Sequence, residues 1–172
     1  MAKINLKHQG GEIYEPERTT GFNSCPGGDA NFTAQLAIGL SDVELKRKPT
    51  EIDFSLTEQV WHLRDIEELG YAVRIKKLLT EDHPLLSDID GAKLAIERAY
   101  NTLDFAEGQQ GFARTRRANI ERIRGLSLEQ LGRAGRFENS ADVTLEGVLL
   151  MMRDHDAIHR NELMQFSRGT NR

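Results

Sequence analysis

The chain has 172 residues, 38% of them hydrophobic, a net charge of -4 and a pI near 5.8, which describes one soluble domain with a real core and disfavours nucleic-acid binding. Its single cysteine, Cys25, excludes an internal disulfide framework. No stretch is long and apolar enough to span a bilayer and no N-terminal run reads as a secretion signal, so the expected compartment is the cytoplasm.

Residues 1–28 hold Gly10, Gly11, Gly21, Gly27 and Gly28 together with Pro16 and Pro26, and show no sustained periodicity; they read as an irregular N-terminal arm. Cys25 has no identifiable charged partner there and reads as an unreactive thiol. Residues 29–172 form the expected bundle. Asp29 is a candidate N-cap, after which Phe32, Leu36, Leu40 and Val43 recur at helical spacing, and the first helix should end before Pro49. Ser55-Leu56-Thr57-Glu58 is a capping box that starts the second helix. In that helix His62, Ile66, Leu69 and Val73 make one core-facing stripe.

Glu81-Asp82-His83-Pro84 begins a loop running to about Asp90, with His83 solvated. A long third helix follows, carrying Leu94, Ala95, Ala99, Leu103 and Ala106 on one face and Ile120 and Ile123 further on; Gly108 and Gly111 weaken its middle, each by about 1 kcal/mol against alanine. Arg114, Arg116, Arg117, Arg122 and Arg124 read as a solvated face rather than a nucleic-acid patch. Ser127-Leu128-Glu129-Gln130 is a second capping-box pattern for a short turn, and Gly132 to Ala141 is a polar loop. Thr144 caps the last helix, where Val148, Met151, Met152, His155, His159 and Phe166 share one side. The expected fold is all-α, most simply an up-down-up-down four-helix bundle.

The chemistry concentrates in this last helix. His155 and His159, four residues apart, lie one above the other on a helix face, the spacing that offers two imidazoles to one metal ion. A buried imidazole needs a partner, and with His62 from helix two they make a three-histidine set that leaves coordination positions open. Asp65 and Asp156 are candidates for orienting the ligands or handling protons. Arg64 and Arg160 read as salt-bridge formers ahead of substrate ligands. The metal set is divalent; zinc, nickel, iron and manganese all suit imidazole. His155-Asp156-Ala157-Ile158-His159 differs from a zinc-protease helix in having aspartate for glutamate and no downstream histidine. The Glu-x-x-His motifs of di-iron bundles are absent.

Ser55 to Asp65, together with Val143-Thr144-Leu145-Glu146 leading into Met152 to His159, resembles the DinB/YfiT-like superfamily of four-helix metalloproteins, over roughly residues 29 to 167. The resemblance implies metal-ligand roles for His62, His155 and His159. It also implies a homodimer, and a transferase that joins a low-molecular-weight thiol to an electrophilic substrate. The alternatives are a metal-dependent hydrolase, and a non-catalytic stress-related binding protein in which a structural metal ties helices two and four together. A third is a metal-free bundle whose histidines hydrogen-bond to one another or to nearby acids.

Overall fold

The computed structural model describes residues 28–138 and 141–169. Cys25 and nearly all of the expected arm lie outside the described residues, as does the side chain of Phe166. The bundle is built from α1 (Gly28–Leu36), a rod running from Leu56 to Thr80, α6 (Phe105–Ile123) and α8 (Leu145–Gly169). No helix of the described residues is long and apolar enough to cross a membrane.

The first helix is shorter than its periodicity implies. It stops at Leu36, the chain turns through Gly39 at φ +81°, and the single turn α2 (Asp42–Leu45) restarts behind a capping box at Ser41. Phe32, Leu36 and Leu40 still pack against Leu56, Val60, Phe105 and Leu163, but Leu45 joins them and Val43 is exposed. α1 packs on α6 and α8.

The rod starts as expected at Ser55, whose Oγ accepts from Glu58 N at 3.1 Å while Glu58 Oε2 accepts from Ser55 N at 2.8 Å. It comprises α3 (Leu56–Asp65), a π-helical turn Ile66–Tyr71 and α4 (Ala72–Thr80). The wider turn inserts one residue into the helical repeat. The buried stripe therefore passes from His62 and Ile66 to Tyr71, Ile75 and Leu78, and Leu69 and Val73 rotate outward. That shift is the physical reason the simple 3.6-residue stripe fails past Ile66.

The third helical stretch breaks earlier than its glycines suggest. α5 (Gly91–Glu97) begins behind the Asp90 N-cap, Ala99 adopts φ +48°, and a 3-10 turn Tyr100–Thr102 precedes α6. Gly108 and Gly111 sit inside α6 without breaking it, because this is where α6 meets α3: a Cβ on Gly108 would lie 2.8 Å from Trp61 Nε1, and one on Gly111 3.2 Å from Arg64 Cγ. Arg116 is buried, in contrast to the solvated arginine face expected for this segment.

After the expected turn α7 (Leu128–Leu131) with its Ser127 capping box, the expected polar loop contains one strand and a second follows it. β2 (Ala134–Phe137) pairs in parallel with β1 (Leu85–Leu86) and antiparallel with β3 (Asp142–Thr144). This three-stranded sheet covers the end of the main core, in which Tyr71, Ile75, Leu78, Leu86, Leu145, Val148 and Met152 are buried together. Exposed His83 pairs through Nε2 with Asp142 at 3.0 Å, linking the loop before β1 to β3. Thr144 caps α8, its Oγ1 accepting from Gly147 N at 3.1 Å.

Candidate metal centre

α3 and α8 bring His62, His155 and His159 together. One nitrogen from each ring lies within 4.8 Å of the others, and this is the group of metal-ligating side chains that the described residues assemble. The ring centroids of His62 lie 5.5 Å from His155 and 4.7 Å from His159, and those of His155 and His159 are 4.4 Å apart. His155 Nε2 and His159 Nε2 approach to 3.2 Å. Phe54 and Tyr71 flank the cluster, with ring centroids 5.5 Å from His62 and 5.9 Å from His155.

Electrostatics favours neutral rings at His62 and His155. Burial, then the neighbouring His159 and His155, push His62 down to about 3. Burial also holds His155 below the usual histidine range. His62 Nδ1 is buried without a hydrogen-bond partner and faces Gly91, where a Cβ would lie 2.4 Å from His62 Cε1 and 2.8 Å from Nδ1. Any side chain at that spot would displace the His62 ring.

The surroundings carry negative charge. Arg116 Nη1 and Nη2 donate to the two oxygens of Asp156 at 2.6 and 2.9 Å, and Nη2 also donates to Glu67 Oε2 at 2.8 Å. Asn119 Nδ2 donates to Glu67 Oε1 at 2.8 Å. Glu67 and Asp156 thus share the one guanidinium of Arg116, and Arg122 Nη1 donates to Asn119 Oδ1 at 2.9 Å at the edge of the same network. Burial raises the Asp156 pKa, but His155 and Arg116 outweigh it and hold the carboxyl below its ordinary range. Glu162, half-exposed beside His159, adds a carboxylate; the hydrogen bond from His159 is the main reason its pKa is lowered. Three imidazoles with the Asp156 and Glu162 carboxylates beside them fit a divalent cation.

The two aspartates singled out in the sequence part company. Asp156 Oδ1 lies 4.0 Å from His155 Nδ1, an electrostatic contact that places it behind a ligand. Asp65 does not orient His62: its buried carboxylate accepts from Arg64 Nη1 and Arg98 Nη1 at 2.7 Å each and from Tyr100 OH at 2.6 Å, which ties α3 to the segment after α5. Arg64 stacks on Trp61 and Arg160 lies over Phe32, so both have structural partners. Sequence reasoning missed Gln59 and Glu162, whose side chains both reach His159 Nδ1, at 3.0 and 2.8 Å. Their signal was present as spacing: each lies three residues from a ligand on the same helix face, Gln59 before His62 and Glu162 after His159. Gly91 carried no such signal.

Comparison with curated proteins gives no match. Among solved structures the chain is similar to YfiT from Bacillus subtilis, described as a probable metal-dependent hydrolase with an unusual four-helix bundle topology. The TM-score is 0.81 at 19% identity, over 96% of this chain and 94% of that one. It is also similar to YjoA, a DinB-like protein from Bacillus subtilis, with a TM-score of 0.62 at 20% identity over 89% of this chain and 93% of that one. These likenesses establish a shared four-helix-bundle fold. The DinB superfamily model matches residues 31–163, a span that contains His62, His155 and His159 and most of every helix of the bundle, and the chain belongs to that superfamily.

Proposed function

We propose that this protein is a divalent-metal-dependent enzyme of hydrolytic type, with His62, His155 and His159 as the metal ligands. The observation that carries the proposal is the convergence of three imidazoles, one nitrogen of each within 4.8 Å of the others, with no fourth histidine, cysteine or carboxylate in the group among the described residues. A sealed structural site takes four protein ligands, whereas three leave room for water or substrate. The fold shared with YfiT, itself described as a probable metal-dependent hydrolase, supports the same reading.

A bound divalent ion supplies Lewis acidity and lowers the pKa of water towards neutrality. The chain's own residues prepare the site for it. Burial keeps His62 and His155 unprotonated at neutral pH, so no proton has to be removed from either ring before it acts as a ligand. Tyr71 OH donates to the Met151 carbonyl at 3.2 Å, and burial drives its pKa upward. It is a wall of the site, not an acid. Phe54 and Tyr71 pack their rings against His62 and His155, and half-exposed Glu162 stands beside His159.

The test is metal content by elemental analysis of the untagged full chain, followed by assays of the loaded protein on activated esters and amides. Transfer of a low-molecular-weight thiol to an electrophile, which the same open position would also serve, is the parallel arm. Close to one metal per chain, lost in His155→Ala, together with hydrolysis lost in the same variant, is the expected result. Thiol transfer without hydrolysis would replace the hydrolase reading. No metal after incubation with divalent ions would remove the enzyme reading altogether.

A further inference from the structure

His159 sits in a closed triangle of hydrogen bonds. Its Nδ1 lies 2.8 Å from Glu162 Oε2 and 3.0 Å from Gln59 Oε1, and Gln59 Nε2 donates to the same Glu162 oxygen at 2.9 Å. Both atoms facing Nδ1 are acceptors. An ionised carboxylate has no proton to give, and Gln59 directs its NH2 group to Glu162, which leaves its carbonyl oxygen for the histidine. The proton of the neutral His159 ring therefore belongs on Nδ1, and the lone pair belongs on Nε2, the nitrogen 3.2 Å from His155 Nε2.

The triangle also repeats a pattern. Gln59 and His62 are three residues apart on α3, and His159 and Glu162 are three residues apart on α8, so each helix supplies one imidazole and one polar neighbour from adjacent turns. Gln59 is 7% exposed, which fixes its amide where it stands. The hydrogen bonds across the two helices tie the orientation of the α8 ligand to the helix that carries His62.

We propose that Gln59 and Glu162 are positioning residues for the metal centre, locking His159 in the Nδ1-protonated tautomer so that Nε2 faces the ion before the ion arrives. The purpose of the lock rests on the metal reading above. The position of the proton does not, and the two are measured separately. A ligand held in this way loses less freedom on binding than a free imidazole does, and partners of this kind typically contribute about 10- to 100-fold in metal affinity.

The experiment uses the full chain labelled with 15N. Long-range 1H–15N spectra at neutral pH of metal-stripped protein report which nitrogen of His159 carries the proton, and competition with a chromophoric chelator gives the Zn2+ affinity. The wild type should show the Nδ1-protonated tautomer. Glu162→Ala and Gln59→Ala should mix the two tautomers and weaken Zn2+ binding by about 10- to 100-fold, with the far-ultraviolet circular dichroism unchanged. Glu162→Gln keeps an acceptor oxygen at the same reach and should restore most of the affinity. A wild-type His159 protonated on Nε2 would overturn the proposal, as would alanine variants with unchanged tautomer and affinity. A wild type that shows the Nδ1 tautomer and binds no Zn2+ leaves the lock standing and removes the metal reading instead.

Discussion

At Gly91 a single added carbon reaches the candidate metal centre. The methyl group of alanine would enter the space taken by His62, since an ideal Cβ falls 2.4 Å from His62 Cε1 and 2.8 Å from Nδ1. The ring has to move, and it has Phe54, His155 and His159 packed around it, while Ile66 Cδ1 lies 3.4 Å from the same added carbon. Gly91→Ala is expected to lower stability by about 1–3 kcal/mol through overpacking and to weaken metal binding, measured by urea denaturation and chelator competition. Metal affinity equal to the wild type would show that His62 is not held by this contact. The same histidine sets a pH dependence. Its folded pKa is lowered to about 3 by burial first, against about 6.5 in the unfolded chain. Below pH 6.5 the unfolded chain takes up a proton that the folded ring refuses, so metal-stripped protein should lose stability as the pH falls from about 6.5 towards 3, at about 1.4 kcal/mol per pH unit for this one group. His155 acts in the same direction. Denaturant midpoints collected from pH 7.5 to 4 should fall steadily in the wild type and less steeply in His62→Leu.

Between elements, the contact that decides most is the crossing of α3 with α6. Gly108 lies against Trp61, whose Nε1 donates to the Asp104 carbonyl at 2.9 Å, so the indole cannot retreat without breaking that bond. Gly111 lies against the flexible stem of Arg64. Alanine is better than glycine in a helix by about 1 kcal/mol. Gly111→Ala should therefore be neutral or stabilising, whereas Gly108→Ala should cost about 1–3 kcal/mol despite the same gain in propensity. Thermal melts of the two variants side by side check this, and equal behaviour would mean that α6 does not need the close approach. The same elements show what a sequence can carry. The capping boxes at Ser55 and Ser127 and the Thr144 cap are local hydrogen-bond chemistry, and all three start helices where their residues stand. The three histidines were legible because each falls in an otherwise apolar stripe. The π turn at Ile66–Tyr71 has no such marker, and it turns Leu69 and Val73 outward. The break at Ala99 involves neither glycine nor proline. The strands Ala134–Phe137 and Asp142–Thr144 are too short to alternate, and β2 is also paired with Leu85–Leu86, which lies far away in sequence. Gly135 permits that pairing, because a Cβ there would lie 2.8 Å from the Pro84 carbonyl oxygen.

At the scale of the whole molecule, the bundle is tied together through buried charged groups. Arg116 on α6 ties Glu67 in the π turn to Asp156 on α8, joining three of the four bundle helices through buried bonds of 2.6 to 2.9 Å. Such a network costs desolvation; Glu162 places a further carboxylate where α8 meets α3. A divalent ion held by His62 on one helix and by His155 and His159 on the other would sit beside the Asp156 and Glu162 carboxylates and cross-link α3 to α8. Metal that binds the folded chain and not the unfolded one stabilises by mass action, about 2.7 kcal/mol when free metal is one hundred times its dissociation constant. For a domain of this length each kcal/mol shifts the melting midpoint by about 2–4 °C. Zn2+ or Mn2+ should therefore raise the midpoint by about 5–11 °C, a chelator should reverse the rise, and His155→Ala should lose it. Glu67→Gln removes one of the charges without touching a ligand. It should keep the metal-induced rise but reduce it, because the ion then has less negative charge to balance. A full rise in Glu67→Gln would show that the ligands alone, and not the charge of the bundle, hold the metal.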